Sequence, residues 1–304
     1  MSVKTDQKRP VRASAVVRIV VWSVVFCILA GVLAVGLLGN YLSVNIFGMD
    51  GIINPGGFFY EDASTYHVGN ATTTETITDL SINWLTGKIT VIASDTNEIK
   101  VVEDYSGDNE NLRLRWKVEE GELKIQFRKP VLFGNAGTLK KNLTVAIPAA
   151  MLEGLDEVEI SAVSCDVSFT GNADELTVDT VAGDLTVNGD IGELGVNAVE
   201  GNVIFRGGVR KADLDCVDAT VTMHLDMAAE LNFDQVDGDV ALYLAEEIVG
   251  FAAEMDSLGG EISVEGFDDV HTLSGKHVRW GDGSLRIRMD GVDAKLDIKK
   301  ATKG

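Results

Sequence analysis

The sequence has few of the residues on which catalysis and metal binding usually depend, with three cysteines and four histidines in 304 residues. No two cysteines have the spacing of a zinc site. The nearest group of candidate ligands, His271, His277, Asp268 and Asp269, matches no established zinc pattern. A nucleophile elbow and a glycine-rich phosphate-binding loop are also missing. We therefore predict a protein that is not an enzyme and holds no resident cofactor.

Basic residues are scarce as well, because 26 lysines and arginines stand against 47 acidic residues, a net charge of −21. Residues 1–43 carry a net +4, from five basic residues against Asp6, which leaves −25 for the rest. Nucleic acid and anionic surfaces of teichoic acid or phospholipid would repel so acidic a region. The charge favours solubility, and cations or basic proteins as partners.

One long apolar run stands near the N-terminus. Residues 19–39 are 21 uncharged, mostly apolar residues, and ~20 are needed to cross a bilayer as a helix. The basic flank before them predicts a cytoplasmic N-terminus. We expect a basic tail over 1–18, a transmembrane helix over 19–42, a linker over 43–76 and a β ectodomain over 77–304. This topology predicts a single-pass protein of the cell membrane, with the ectodomain outside.

One phrase recurs between residues 158 and 242. It consists of an apolar residue, a second apolar residue three positions later, a small residue two positions after that, a polar residue, and then alternating apolar residues. The small residue is Cys165, Gly183, Gly201, Ala219 and Gly238, at spacings of 18, 18, 18 and 19. A fixed period indicates a stacked architecture. Looser copies surround Gly87, Gly260 and Gly283.

Each copy alternates apolar and polar residues, which is typical of a strand with one buried face. Glycine suits the corner because it tolerates positive φ. Stacked rungs share one core, with like residues ~4.8 Å apart. The fold class is therefore predicted as all-β, a β-solenoid with rungs of about 18 residues. An antiparallel hairpin over 111–128 is expected to interrupt it near its N-terminal end, after one transmembrane α-helix.

The predicted register places two tryptophan and two cysteine side chains within the stack. Trp84 and Trp280 would share a column and close the first and last rungs, since open solenoid ends are usually atypical. Cys165 and Cys216 would lie three rungs apart, ~14 Å along the axis at ~4.8 Å per rung. That distance is too long for a disulfide, so both thiols should be free and buried.

Polar residues follow the small residue at each corner. Stacking in chain order brings together Asp166, Asp184, Asn202, Thr220, Asp239 and Glu261, beside a second acidic column. These side chains could cap their own turns. Alternatively they could bind Ca²⁺, for which the best-placed candidate ligands are Asp218, Asp237 and Asp239.

Two segments and the repeated Val-x-Gly-Asp-Val corner resemble a known family. The segments are LSINWLTGKITV at 80–91 and KNLTVAIP at 141–148. They are similar to the bacterial "putative adhesin" domain family, which has no catalytic residues to carry over. The resemblance implies a membrane-tethered, surface-facing β-solenoid, and members resemble accessory proteins of cell-envelope stress systems.

These observations favour a non-enzymatic surface module that binds as an adhesin does, with the membrane and an unidentified protein or cell-surface ligand as partners. The alternative is an accessory or regulatory subunit of a cell-envelope stress-response system. A second alternative is a Ca²⁺-dependent β-helix enzyme acting on polysaccharide. It is disfavoured because no lysine or arginine lies among the carboxylates between Gly238 and Glu265.

Overall fold

The computed structural model describes residues 60–131 and 139–301, apart from the side chains of Val236 and Asp237. The predicted tail (1–18), the predicted transmembrane helix (19–42) and the first half of the linker (43–59) lie outside the described residues. Within the described ranges, no helix is long and apolar enough to span a bilayer. Helical structure there amounts to a 3-10 turn at Glu110–Leu112 and a short turn at Ala149–Leu152. The described chain is all-β, as predicted.

Sixteen strands form one hydrogen-bonded sheet in the described part of the chain. In chain order they are β1 (His67–Val68), β2 (Ala71–Thr73), β3 (Asp79–Ser94), β4 (Ile99–Glu103), β5 (Arg115–Glu119), β6 (Glu122–Gln126), β7 (Leu143–Pro148), β8 (Leu155–Thr170), β9 (Ala173–Ala182), β10 (Leu185–Asn188), β11 (Ile191–Leu244), β12 (Gly250–Ser257), β13 (Glu261–Glu265), β14 (His271–Ser274), β15 (His277–Gly281) and β16 (Leu285–Lys300).

The middle of the molecule is a parallel stack that bears out the predicted period. β3 pairs with β8, β8 with β9 and β10, and both of these with β11. Gly87 lies opposite Cys165, and Leu185 lies between Val167 and Val203. β11 runs for 54 residues, which is enough for three rungs of 18. The repeats in the sequence are therefore successive rungs of a solenoid-like stack.

Apolar side chains of successive rungs form continuous columns inside the stack. They are buried in every rung: Ile160, Val178, Val196, Leu214 and Phe233 in one column, and Val167, Leu185, Val203, Val221 and Val240 in another. Burying a side chain of this size contributes about 1.5–3 kcal/mol. A single rung cannot cover both faces of its own apolar row, so the rungs stabilise one another.

The corner glycines allow the rungs to approach closely. Gly201 has φ 138°, and a Cβ built on it would lie 2.1 Å from the carbonyl oxygen of Gly183 in the rung before. Gly183 has the same relation to Cys165, at 2.0 Å. Glycine is required here both by its backbone conformation and by the contact between backbones.

Antiparallel strands cover the N-terminal end of the stack, where the sequence predicted an interruption. β5 and β6 form the expected hairpin, and β6 runs parallel to the first half of β3. β7 runs parallel to the second half of β3 and pairs antiparallel with β4. β1 and β2 lie outermost, on β5 and β4. This end is sheet-like because its strands reverse direction.

The C-terminal end corrects the predicted order of rungs. The rung after Gly238 is formed by β16, with Ala294 opposite Gly238 and Leu296 opposite Val240. β12 and β13 lie on the far side of β16, so the copy around Gly260 is the outer one. The segment 289–298 carries the repeated phrase, with Ala294 as its small residue, and the copy around Gly283 is not a rung. The last strand is thus inserted between two earlier ones.

The tryptophan prediction holds at one end only. Trp84 lies opposite Ala162, in the predicted column, and it is buried against Phe127. Trp280 instead lies in β15, which is antiparallel to β12, and pairs with Phe251. Its predicted place is taken by Gly291 of β16, opposite Gln235. The prediction for Trp280 is wrong because it depended on the wrong order of rungs.

Candidate binding surface

A column of apolar side chains lies exposed on the outside of the stack. Its members occupy the second apolar position of the repeats from Cys165 onward, whereas the same position in the copy around Gly87 is the buried Leu85. We call them the valine column: Val163, Val181, Val199, Val217, Val236, Val292 and Leu258, of which the side chain of Val236 is not described. Val181, Val199, Val217 and Val292 are 38–49% exposed and Leu258 is 91% exposed. Val163 is half-buried.

Ladder pairing places these residues on successive rungs. Thr180 lies opposite Ala198, which sets Val181 beside Val199. Gly291 lies opposite both Gln235 and Ser257, which sets Val292 beside Leu258. Seven rungs give a column ~29 Å long at ~4.8 Å per rung. Contiguous exposed apolar surface of this kind marks interaction sites more often than isolated exposed residues do.

Acidic residues run along both sides of the valine column. Two positions earlier on each strand stand Asp179, Asn197, Asp215, Asp234, Asp290 and Asp256. One position later stand Glu200, Asp218 and Asp293, on three of the rungs. Burial, and after it the neighbouring charge of Asp213, raises the pKa of Asp215. The surface beside the column is therefore predominantly negative, with Arg288 next to Asp234 and Asp290, and Lys276 next to Asp256, as basic neighbours.

The polar residues after the corner glycines bond to the neighbouring rung. The Asp166 carboxylate accepts a hydrogen bond from the backbone N–H of Asp184 at 3.2 Å. Asp184 in turn accepts bonds from the backbone N–H and side-chain amide of Asn202, at 3.0 and 2.8 Å. The prediction had these side chains capping their own turns, whereas they connect one turn to the next.

The candidate Ca²⁺ ligands lie on the same corner. Asp218 and Asp239 are exposed on adjacent rungs, and the side chain of Asp237 lies outside the described part of the structure. No three acidic, histidine or cysteine side chains are grouped to hold a metal, as far as the described residues extend. Ca²⁺ binding by Asp218, Asp237 and Asp239 stays a prediction.

Lys295 occupies the place next to Asp239 that was predicted for Glu261. It lies opposite Asp239 on one side and Glu261 on the other. A hydrogen bond to Asp297, and the charges of Asp297, Glu261 and Asp239, raise the pKa of Lys295. The stack thus brings a basic residue among carboxylates that have none near them in sequence. Its Nζ pairs with Oδ2 of Asp297 at 3.1 Å.

The N-terminal end contains a buried ion pair that sequence reasoning missed. Lys141 donates to Oε2 of Glu103 at 2.6 Å, and both side chains are buried. The same ammonium also donates to the carbonyls of Leu112 and Phe127. Burial lowers the pKa of Lys141 to about 8, against the opposing effect of Glu103. The pair is fully bonded, so we assign it a structural role in joining β4 to β7.

The two described thiols are buried, and His271 and His277 lie in an exposed pair of strands. Cys165 and Cys216 are free and buried, as predicted, and desolvation raises their pKa values to about 12 and about 11. His277 lies 3.9 Å from Glu254 across an exposed strand pair. His271 pairs with Arg279 in the β14–β15 hairpin, so the loop that was considered for a metal is a short sheet.

Two features of this surface were detectable in the sequence but not recognised. The apolar residues of each phrase are three positions apart, as in Ile160 and Val163, so in a strand they point to opposite faces. A second corner also repeats every 18 residues, at Gly171-Asn172, Gly189-Asp190 and Gly207-Gly208. There the Asp190 carboxylate accepts a bond from the N–H of Gly208 at 2.8 Å.

Comparison with family models finds a match over residues 77–216, to the family described as Toastrack DUF4097. Residues 77–216 are a Toastrack domain. The resemblance to the "putative adhesin" family is thereby confirmed. The Toastrack match ends at Cys216, in the rung that contains Ala219, whereas the stack continues to Lys300. No curated protein matches the chain.

Three solved structures are similar to this chain at low identity. A structure described as a "putative adhesin" from Bacteroides fragilis has 13% identity and a TM-score of 0.45, covering 76% of this chain and 97% of its own. A "putative cell adhesion protein" from Clostridium sporogenes has 10% identity and a TM-score of 0.38, covering 77% of this chain and 100% of its own. A "putative adhesin" from Parabacteroides distasonis has 9% identity and a TM-score of 0.35, covering 77% of this chain and 97% of its own.

Proposed function

We propose that this protein is a membrane-anchored, non-enzymatic binding module whose solenoid lies outside the membrane. The observation that carries the proposal is the valine column, which repeats one exposed apolar side chain on successive rungs. A partner that covers these side chains would gain about 25 cal/mol of binding free energy for each Å² of apolar surface removed from water. The register of the stack holds them in a fixed row, so a partner meets a preformed surface.

The anchor and the location rest on the N-terminal sequence. The 21 apolar residues at 19–39 and their basic flank support one membrane helix with a cytoplasmic N-terminus. The Toastrack domain would then be displayed on the outer side. Protease added to intact spheroplasts should degrade the solenoid, and a cytoplasmic marker protein should survive as the control. Protection of the whole ectodomain would contradict the topology.

Cross-linking in intact membranes tests the binding function itself. A partner from another cell, or from the surface of a host, would establish an adhesin-like role. A partner from the same membrane would establish the accessory role in an envelope-stress system, and loss of the gene should then change that response. Recovery of the uncross-linked chain alone, under conditions that cross-link a known membrane complex in the same sample, would argue against a binding module.

A further inference from the structure

We infer that the valine column is the docking site of a basic amphipathic helix belonging to a partner protein. The inference rests on the proposed binding function and names the partner's chemistry. Both flanks of the column carry carboxylates, with Asp179 and Asp215 on one side and Glu200, Asp218 and Asp293 on the other. The complementary surface is one apolar stripe between two rows of lysine or arginine.

The direction of the column selects a helix rather than a strand. The column runs across the strands, along the axis of the stack, and advances ~4.8 Å per rung. One turn of helix advances ~5.4 Å, so each turn can place one apolar residue near each rung. The backbone inside the stack is already paired on both sides, as Thr180 is with Ala162 and with Ala198. An added strand would therefore find no unpaired backbone edge along the column.

Charge also rules against two other occupants. A second copy of this chain carries the same net −21, and the same acidic rows would face each other across the contact. Anionic lipid head groups would be repelled in the same way. A cationic helix would gain binding free energy from apolar burial and from charge. Its apolar stripe covers Val181, Val199 and Val217, while its flanks neutralise the aspartates.

The test uses the full chain in nanodiscs of phosphatidylcholine, which carry no net charge. The probe is a fluorescent 21-residue peptide with leucine at i, i+3, i+4 and i+7 and lysine on both flanks of that stripe. A scrambled peptide of identical composition controls for charge alone, and a version with glutamate in place of lysine controls for apolarity alone. We expect the helical lysine peptide to bind at least ~10-fold more tightly than either control, with affinity falling as salt rises.

Two sets of variants locate the binding. The triple variant Val181→Ser, Val199→Ser and Val217→Ser should weaken binding about 30-fold, since each valine loses half of a side chain's burial. The pair Asp215→Asn and Asp218→Asn should weaken it several-fold at low salt. The matched pair Asp174→Asn and Asp226→Asn changes the charge equally at exposed sites elsewhere and should have a much smaller effect. All of these positions are exposed, so the variants should fold, and circular dichroism checks this.

The outcomes separate this inference from the proposed function. Equal binding of the helical and scrambled peptides, or unchanged binding by the folded valine variant, would overturn the helix site. If membrane cross-linking still captured a partner in that case, the binding module would stand and its surface would lie elsewhere. Self-association of the chain that is lost in the valine variant would also overturn the inference, in favour of a second copy.

Discussion

Ala294 lies directly opposite Gly238 in the parallel stack, although β12 to β15 separate them in the chain. The C-terminal strand β16 is therefore an internal rung, with β11 on one side and β12 and β13 on the other. This end of the stack therefore depends on pairing between β11 and β16 across the intervening β12 to β15. Spatial order differs from chain order here, as it also does at the other end, where β3 lies between β7 and β8.

Engineered disulfides test this order. Asp239→Cys with Lys295→Cys should form a bridge, because the two residues are neighbours in register ~4.8 Å apart. Asp239→Cys with Glu261→Cys should not, since these residues are two rungs and ~9.6 Å apart. Mass spectrometry of tryptic peptides after mild oxidation gives the answer, in a Cys27→Ser background. Efficient bridging of 239 to 261 would restore the order read from the sequence.

Removal of the buried lysine should destabilise the N-terminal end. Lys141→Met leaves the Glu103 carboxylate buried without its cation, for an expected loss of about 3–5 kcal/mol in urea unfolding. The double variant with Glu103→Gln should lose less, because the amide still accepts the bond from the N–H of Leu114. Lys140→Met, an exposed neighbour, is the control and should be nearly neutral. If Lys141→Met were as stable as Lys140→Met, the structural role of the ion pair would be contradicted.

The corner glycines should not tolerate alanine. Gly201→Ala places a methyl group 2.1 Å from the Gly183 carbonyl oxygen at φ 138°, so we expect a loss of about 2–5 kcal/mol. Gly275→Ala is the matched control, since nothing lies within 4 Å of its added Cβ. Thermal melts of both variants give the comparison. Equal melting temperatures would show that the rungs are further apart than the structure has them.

The two thiols in the stack should resist alkylation while the protein is folded. Burial raises their pKa values to about 12 and about 11, so at pH 8 both remain protonated and unreactive. Iodoacetamide should modify Cys165 and Cys216 only after urea is added, as read from the intact mass of a Cys27→Ser variant. Because the thiolate fraction rises with pH, any slow native reaction should accelerate between pH 8 and pH 10. Rapid modification at pH 8 without urea would place the thiols at the surface.

The sequence was sufficient for the regular part of the fold. The 18-residue spacing from Cys165 to Ala219 determined the register, because each rung differs from the next only in side chains of similar size. The predicted order of rungs was wrong where the spacing changed. Gly260 and Ala294 both satisfy the phrase, and spacing alone cannot say which one follows Gly238. Only pairing in three dimensions decides that.

The fixed period of the repeat also made part of the candidate surface predictable. The acidic columns follow from the period, and Asp166, Asp184 and Asn202 do stack. The Lys141–Glu103 pair was out of reach, because the two residues lie on different strands with no repeat to relate them. The exposed valines were not singled out in the sequence, although their odd spacing from Ile160 and its equivalents places them on the opposite face.

Photo-cross-linking on living cells tests the central claim most directly, that the valine column is where an external partner binds. A photoreactive amino acid is placed at Val217 in the column or at Asp226, an exposed residue of the same strand. We expect position 217 to capture a protein whose cross-linked peptide is rich in lysine or arginine and amphipathic as a helix, and position 226 to capture little of it. Equal capture from both positions, or capture from 226 alone, would contradict the claim.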